Sequence, residues 1–388
     1  LIGFDENSPM NGFHVDWETI GVVLGDTNAV DLPEIRIHTV KEAEEFIKNY
    51  GFDYEVESER QDIIALKQDA VHFIEKQLLQ DPDDPTRRLR MSEVVSNETD
   101  VRKLLVQAST EHGEVADWSC SVLRVMHTLT HISNDLSSNF FPAIQKQILD
   151  KVLGFTYTDS AGDVYLGEDE DGIRLYMLDI KTQKSYDSLV LKLLHKEDNT
   201  SADIFDRMGF RFVVFSKLEA LDTLRYLKKN IFAFPNVRNN RSRNTLIDIG
   251  RFHYQLDSML PSFRNEGLSE WQILQKVSKI AESEDCSPHI SSEKKSEYNL
   301  YSSTKYTSIQ ITTRQLIRIK GPALSPMINP KKLDKDGMMD YKFFFPYEIQ
   351  ILDKDSYIES RKGRASHSEY KRSQLRAARE RVFPWLNR

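Results

Sequence analysis

Near its C-terminal end the chain alternates polar and apolar residues with a period of two, and this alternation constrains the fold more than any other feature. In Tyr347-Glu348-Ile349-Gln350-Ile351, Glu348 and Gln350 fall on one side, with Tyr347, Ile349 and Ile351 on the other. Successive side chains of a strand point to opposite faces, so the segment reads as a half-buried strand. Residues 306 to 312 repeat the pattern, with Tyr306, Ser308, Gln310 and Thr312 on one face and Thr307, Ile309 and Ile311 on the other. Over Thr313 to Lys320, Arg314, Arg318 and Lys320 share a face opposite Ile317 and Ile319. A sheet packed on helices through its apolar face would leave a face of Glu, Gln, Tyr and Arg. That face suits a polyanion, or is an ordinary solvated surface.

The chain has 388 residues, and single cores usually stop growing at roughly 250–300 residues, so two domains are expected. Helical periodicity covers Val40 to Lys48, Glu57 to Leu79, Asp100 to Ser109, Val115 to Ile132 and Pro142 to Val152. A boundary near residue 155 separates this mainly α-helical N-terminal region (1–155) from the rest (156–388). The second part opens with a Gly/Asp-rich hairpin between Asp159 and Asp171 and a strand over Ile173 to Ile180. A helix from Tyr186 to Lys196, a strand from Phe210 to Phe215 and a helix from Glu219 to Asn230 follow. The basic loop Arg238-Asn239-Asn240-Arg241-Ser242-Arg243 leads into a helix-containing insertion near 244–300. Strands near 306–320 and 343–352 come next, joined through the turn-forming 331–337, and a basic helical tail occupies 361–388. This order predicts an α+β fold with a mostly antiparallel mixed sheet.

A formal net charge of −8 argues against a surface that grips nucleic acid all over, while leaving room for a local basic groove. Cys120 and Cys286 are too far apart for a zinc spacing or a disulfide framework, which suits a reducing, cytoplasmic setting. No apolar run approaches the ~20 residues of a membrane span, and Leu1 to Met10 lack the features of a signal peptide, so no membrane partner is expected. The missing initiator Met suggests that a few residues precede Leu1.

Four stretches carry candidate chemistry. On the helix after residue 185, Ser188, Lys192 and Lys196 recur every four residues with Lys184 one step earlier, a row of amines able to straddle a triphosphate or to form a solvated face. Asp206 ends a loop before the apolar run Phe210 to Val214, where a carboxylate can hold Mg²⁺ with substrate phosphates or act as a cap. The Tyr306 and Glu348 segments supply the other two. His127 and His131 sit one helical turn apart with Asp135 beyond, a chelating spacing that is better read as a partly buried helix face.

In this order the segments resemble the synthetase domain of the RelA/SpoT family, the alarmone pyrophosphokinases, across roughly residues 173 to 371. Lys184, Ser188 and Lys192 match its basic helix. Asp206 through Val214 is similar to its Asp–Arg–Val-Val block, with Arg211 at the family's arginine. Lys305-Tyr306-Thr307-Ser308-Ile309-Gln310 looks like its Gly-Tyr-x-Ser-Ile-His segment, and Glu348-Ile349-Gln350-Ile351-Leu352 like its Glu-Ile-Gln-Ile-Arg. Ala365 to Lys371 is similar to its later Ala-Ala-His-Trp-x-Tyr-Lys. Thr182, Lys305, Gln310 and Leu352 depart from the pattern. No His-Asp dipeptide occurs in residues 1–155, which excludes the hydrolase that such enzymes often carry.

The resemblance implies a nucleotidyltransferase-like fold and a Mg²⁺-dependent pyrophosphotransferase, moving pyrophosphate from ATP to the 3′-hydroxyl of a purine nucleotide. In it Asp206 and Glu348 hold the metal, and Glu348 helps deprotonate the acceptor. Tyr306 stacks on the acceptor base, and Lys184, Lys192 and Arg211 grip phosphates or order the site. Ser188, Ser308, Gln310 and Gln350, with Arg241 and Arg243 of the basic loop, complete the expected nucleotide contacts. Two alternatives stay open: transfer to the 3′ end of tRNA, and a catalytically silent nucleotide sensor of the same fold.

Overall fold

The computed structural model describes residues 22, 29–32, 35–110, 113–133, 140–182, 185–195, 207–288, 307–322, 338–361 and 367–387. Contacts divide the chain into two compact units. The first comprises residues 1–134, 186–201 and 374–388; the second comprises 135–185 and 202–373. Helix Phe141–Leu153, on the N-terminal side of the expected boundary at 155, thus belongs to the second unit. The helix starting at Tyr186 and the end of the C-terminal tail belong to the first.

The first unit is helical: α1 (Val40–Tyr50), α2 (Glu57–Phe73, continued by a π-helical turn Ile74–Leu78), α3 (Glu93–Asn97), α4 (Val101–Thr110), α5 (Glu114–Ser133) and α7 (Tyr186–Leu194). Thr39 caps α1, its hydroxyl accepting from the Glu42 amide at 3.2 Å, and Gly51 ends the helix at φ 115°, a left-handed turn that glycine adopts without strain. Ile63, Ala70, Phe73, Leu104, Trp118, Val122, Val125 and Leu129 are buried. The chain end is built into this core. The Phe383 and Trp385 rings each lie 5.3 Å from Trp118, and Ser121 and Arg124 donate to the Val382 carbonyl at 2.9 and 3.2 Å.

The second unit contains two sheets. A small antiparallel one joins β1 (Thr156–Thr158), β2 (Val164–Leu166) and β3 (Ile173–Leu175). Gly172 belongs to its tight turn: a Cβ there would sit 2.7 Å from the Leu166 carbonyl oxygen. The strand expected over Ile173 to Ile180 is in fact two. At Tyr176 the chain leaves the small sheet and starts β4 (Met177–Lys181) in the large one.

The large sheet adds β5 (Gly209–Val214), β6 (Arg243–Asn244), β7 (Ile309–Pro322) and β8 (Met338–Asp353) in the order β4-β5-β8-β7-β6. Only β5 and β8 run parallel; the other pairs are antiparallel, as the sequence predicts. Phe210, Phe212, Val214, Ile309, Ile311, Tyr347, Ile349 and Ile351 form its apolar face. That face shares one core with residues of α6 (Phe141–Leu153) and α8 (Lys217–Asn230). Burying each large side chain there contributes about 1.5–3 kcal/mol. The 244–300 insertion folds as α9 (Ile249–Asn265) and α10 (Glu270–Glu282), closing a small core of Ile247, Phe252, Phe263, Ile280 and Cys286. Both cysteines are free thiols. Helices α11 (Lys354–Arg361) and α12 (His367–Val382) follow β8.

Candidate functional site

Strand pairing aligns polar side chains across all five strands. Asp179 of β4 pairs with Arg211, Arg211 with Gln350, Gln350 with Gln310, and Gln310 with Arg243. With strands about 4.8 Å apart, this row spans roughly 20 Å. The neighbouring row on the same face runs Lys181, Gly209, Glu348, Thr312. The alternation read from the sequence at Gln310, Thr312, Glu348 and Gln350 therefore converges on a single face, which also gathers Arg211, Asp179 and Lys181.

Side-chain hydrogen bonds link the rows. The Arg211 guanidinium donates through Nε to Gln350 Oε1 at 3.0 Å and through Nη1 to Asp179 Oδ2 at 3.5 Å. Gln350 Nε2 donates to Glu348 Oε1, and Gln310 Nε2 to Glu348 Oε2. Both carboxylate oxygens of Glu348 thus accept an amide hydrogen bond, which fixes the plane of the group. Gln310 Oε1 is buried without a hydrogen-bond partner. Beside Glu348, Gly209 brings no side chain to the face; a Cβ there would sit 3.8 Å from that of Glu348.

The basic loop is pinned to this sheet. Thr312 donates through its hydroxyl to the Arg241 carbonyl at 3.2 Å and through its amide to Ser242 Oγ at 3.1 Å, and its own carbonyl accepts from the Arg238 amide at 2.8 Å. Arg243, in β6, takes the end of the polar row. Ser308 differs from expectation: at 1% exposure it is buried, its amide donating to Thr245 Oγ1 at 3.0 Å. Tyr347 is a core residue whose ring meets Phe210 edge-on at 5.9 Å, and burial raises its phenol pKa.

Ser188 and Lys192 lie half-buried on α7, whose Leu189, Val190, Leu193 and Leu194 are buried in the first unit, whereas Glu348, Gln310, Gln350 and Arg211 belong to the second. Lys184, Asp206 and Tyr306 fall outside the described residues. His127 is accounted for without a metal. Its Nδ1 is 2.8 Å from the Tyr50 hydroxyl and its ring 4.6 Å from that of His131; burial, then the neighbouring His131, lowers its pKa to about 4. Among the described residues no group of three or more His, Cys, Asp or Glu could hold a metal ion unaided.

Asp179 and Lys181 had a faint signal in the sequence: within Met177–Lys181 they fall out of phase with Leu178 and Ile180. Their partnership with Arg211 and Gly209 depends on a register the sequence does not print. Among the described residues no helix is long and apolar enough to cross a membrane. No family model, no curated protein and no solved structure matches the chain.

Proposed function

We propose that the second unit is a Mg²⁺-dependent pyrophosphotransferase that takes ATP as donor and the 3′-hydroxyl of a purine nucleotide as acceptor. One observation carries the reading: a carboxylate, Glu348, held by two amides on a sheet face, opposite Gly209, which adds no side chain, and among Lys181, Arg211 and Arg243. Phosphoryl-type transfer needs little covalent chemistry from the protein; it needs positioning and cations where charge develops. The face has both.

Glu348 is the base. As the acceptor's 3′-oxygen bonds to the β-phosphorus of ATP, the bond from that phosphorus to the α–β bridging oxygen breaks. AMP leaves with the bridging oxygen, and the hydroxyl proton passes to Glu348. The Gln310 and Gln350 amides fix the orientation of its carboxylate, and Arg211, braced by Asp179, keeps Gln350 in place. Lys181 and Arg243 offset phosphate charge at either side.

The donor set fits Mg²⁺, which takes oxygen ligands and is commonly bound through one or two carboxylates together with substrate phosphates. Glu348 and the buried Gln310 Oε1 supply such oxygens, and the resemblance assigns the second carboxylate to Asp206, outside the described residues. Bound there, the ion would neutralise charge on the transferred phosphates.

Incubating the protein with labelled ATP, Mg²⁺ and, separately, GDP, GTP, ADP, ATP and tRNA tests this reading. Label should pass to a purine nucleotide with wild type and not with Glu348→Ala. Absence of transfer to every acceptor would refute it.

A further inference from the structure

Beyond Thr313 and Tyr347 the hairpin β7–β8 extends past its neighbours β5 and β6 as a two-stranded arm, paired out to Pro322 and Met338. Its odd-numbered face packs on α6. Ile317, Ile319 and Phe345 are buried, Phe141 meets Phe345 edge-on at 6.0 Å, and Gln147 exchanges hydrogen bonds with the Arg318 backbone at 2.9 and 3.1 Å. The even-numbered face looks to solvent. It carries Arg314, Arg318, Lys320 and Lys342 against a single carboxylate, Asp340, which forms an exposed ion pair with Lys342 at 3.2 Å, in a chain whose net charge is −8.

Two features of this face stand out. Arg318 and Lys342 are directly opposite in the register, a like-charge pair that destabilises a ladder. Phe344 is 50% exposed, opposite Leu316 at 38%, with the Arg314 guanidinium 5.3 Å from its ring centre. Arg314 Nε is itself buried without a hydrogen-bond partner. Cations flanking an exposed aromatic on a flat sheet face form the combination that holds single strands: phosphates on the cations, bases on the ring. A duplex suits it less. A β-ribbon reads duplex DNA by entering the major groove, and this ribbon has one face covered by a helix.

We propose that the solvent face of the β7–β8 arm binds single-stranded nucleic acid, with Arg314, Arg318, Lys320 and Lys342 on the phosphates and a base stacked on Phe344. The inference stands apart from the pyrophosphotransfer reading, because it uses none of the residues around Glu348 and needs no ATP.

Fluorescence anisotropy with 5′-labelled 12-mers of U and of dT, without nucleotide or Mg²⁺, tests it on wild type and on Glu348→Gln alike. Both strands should bind at 50 mM salt, with a log–log salt slope of about −2 to −3 for three or four phosphate contacts. Phe344→Ala should weaken binding about tenfold with the slope kept, and Phe344→Trp should restore it. Arg318→Ala with Lys342→Ala should make the slope shallower by about 1.4, at about 0.7 for each lost phosphate contact. Phe344 is exposed, so these variants should retain the wild-type melting temperature. The proposal is overturned by no binding at 50 mM salt, by tighter binding of a 12-base-pair duplex, by indifference to both sets of substitutions, or by binding to anionic lipid vesicles in place of oligonucleotides.

Discussion

Arg211 and Gln350 face one another across the one parallel strand pair of the large sheet, and the Arg211 Nε–H donates to Gln350 Oε1 at 3.0 Å. This bond forces the Gln350 amide to offer its Nε2 to Glu348. Arg211 therefore reaches the candidate base through an intermediary and acts as a positioning residue.

Replacing Gln350 with Leu would remove the link and leave the sheet intact, since the side chain lies on the polar face. Activity should fall about 10- to 100-fold, mostly in kcat, with the melting temperature little changed. Gln350→Glu should behave differently. A second carboxylate beside Glu348 raises the pKa of the pair, so the alkaline-going limb of the pH–rate profile should move to higher pH. Steady-state kinetics across pH distinguish the two variants.

Asp179→Asn tests the far end of the chain of contacts. The Arg211–Asp179 pair at 3.5 Å is partly solvated, with side-chain exposures of 16% and 32%, so its loss should cost no more than about 1 kcal/mol of stability. A drop in kcat of severalfold with KM for ATP nearly unchanged would fit bracing of Arg211. A change in KM alone would point to direct contact between Asp179 and substrate.

Gly209→Leu puts a side chain against Glu348, whose Cβ lies 3.8 Å from where the added Cβ would sit. The variant should fold, because the added side chain projects from the polar face, yet lose ATP binding measured by calorimetry. Retained ATP affinity would place the donor elsewhere.

His127 makes the helical unit sensitive to acid. Its folded pKa, lowered to about 4 from 6.5, means that between those values the unfolded chain binds more protons. The associated stability is present above pH 6.5 and is lost as pH falls toward 4. Melting temperatures recorded from pH 7 to 4.5 should decline, and His127→Gln, which does not titrate, should reduce that decline by roughly 2–4 °C.

Phe383 is fully buried and packs against Trp118 at 5.3 Å. Phe383→Ala should destabilise the first unit by about 3–5 kcal/mol in denaturant titrations monitored by tryptophan fluorescence.

Much of the sheet was legible because half-buried strands advertise themselves. Gln310, Glu348 and Gln350 fall on one face through simple alternation, and the apolar run from Phe210 to Val214 fixed β5. What the sequence concealed depends on partners distant along the chain. Leu175 and Met177 read as one strand, since nothing local reveals that the chain changes sheets at Tyr176. Arg243 read as loop because β6 is two residues long and exists only through pairing with β7. The α7 helix was legible as a helix, but its place with the first unit was not; a leucine-rich stripe does not say which core it enters. Asp179 showed only its alternation with Leu178 and Ile180 until the β4–β5 register set it opposite Arg211.

The most direct test of the central claim is the fate of ATP. In reactions with a purine nucleotide acceptor, the account predicts one AMP released for every acceptor that gains two phosphates, abolished in Glu348→Gln. Release of ADP or of free pyrophosphate, or equal AMP formation by wild type and Glu348→Gln, would contradict it.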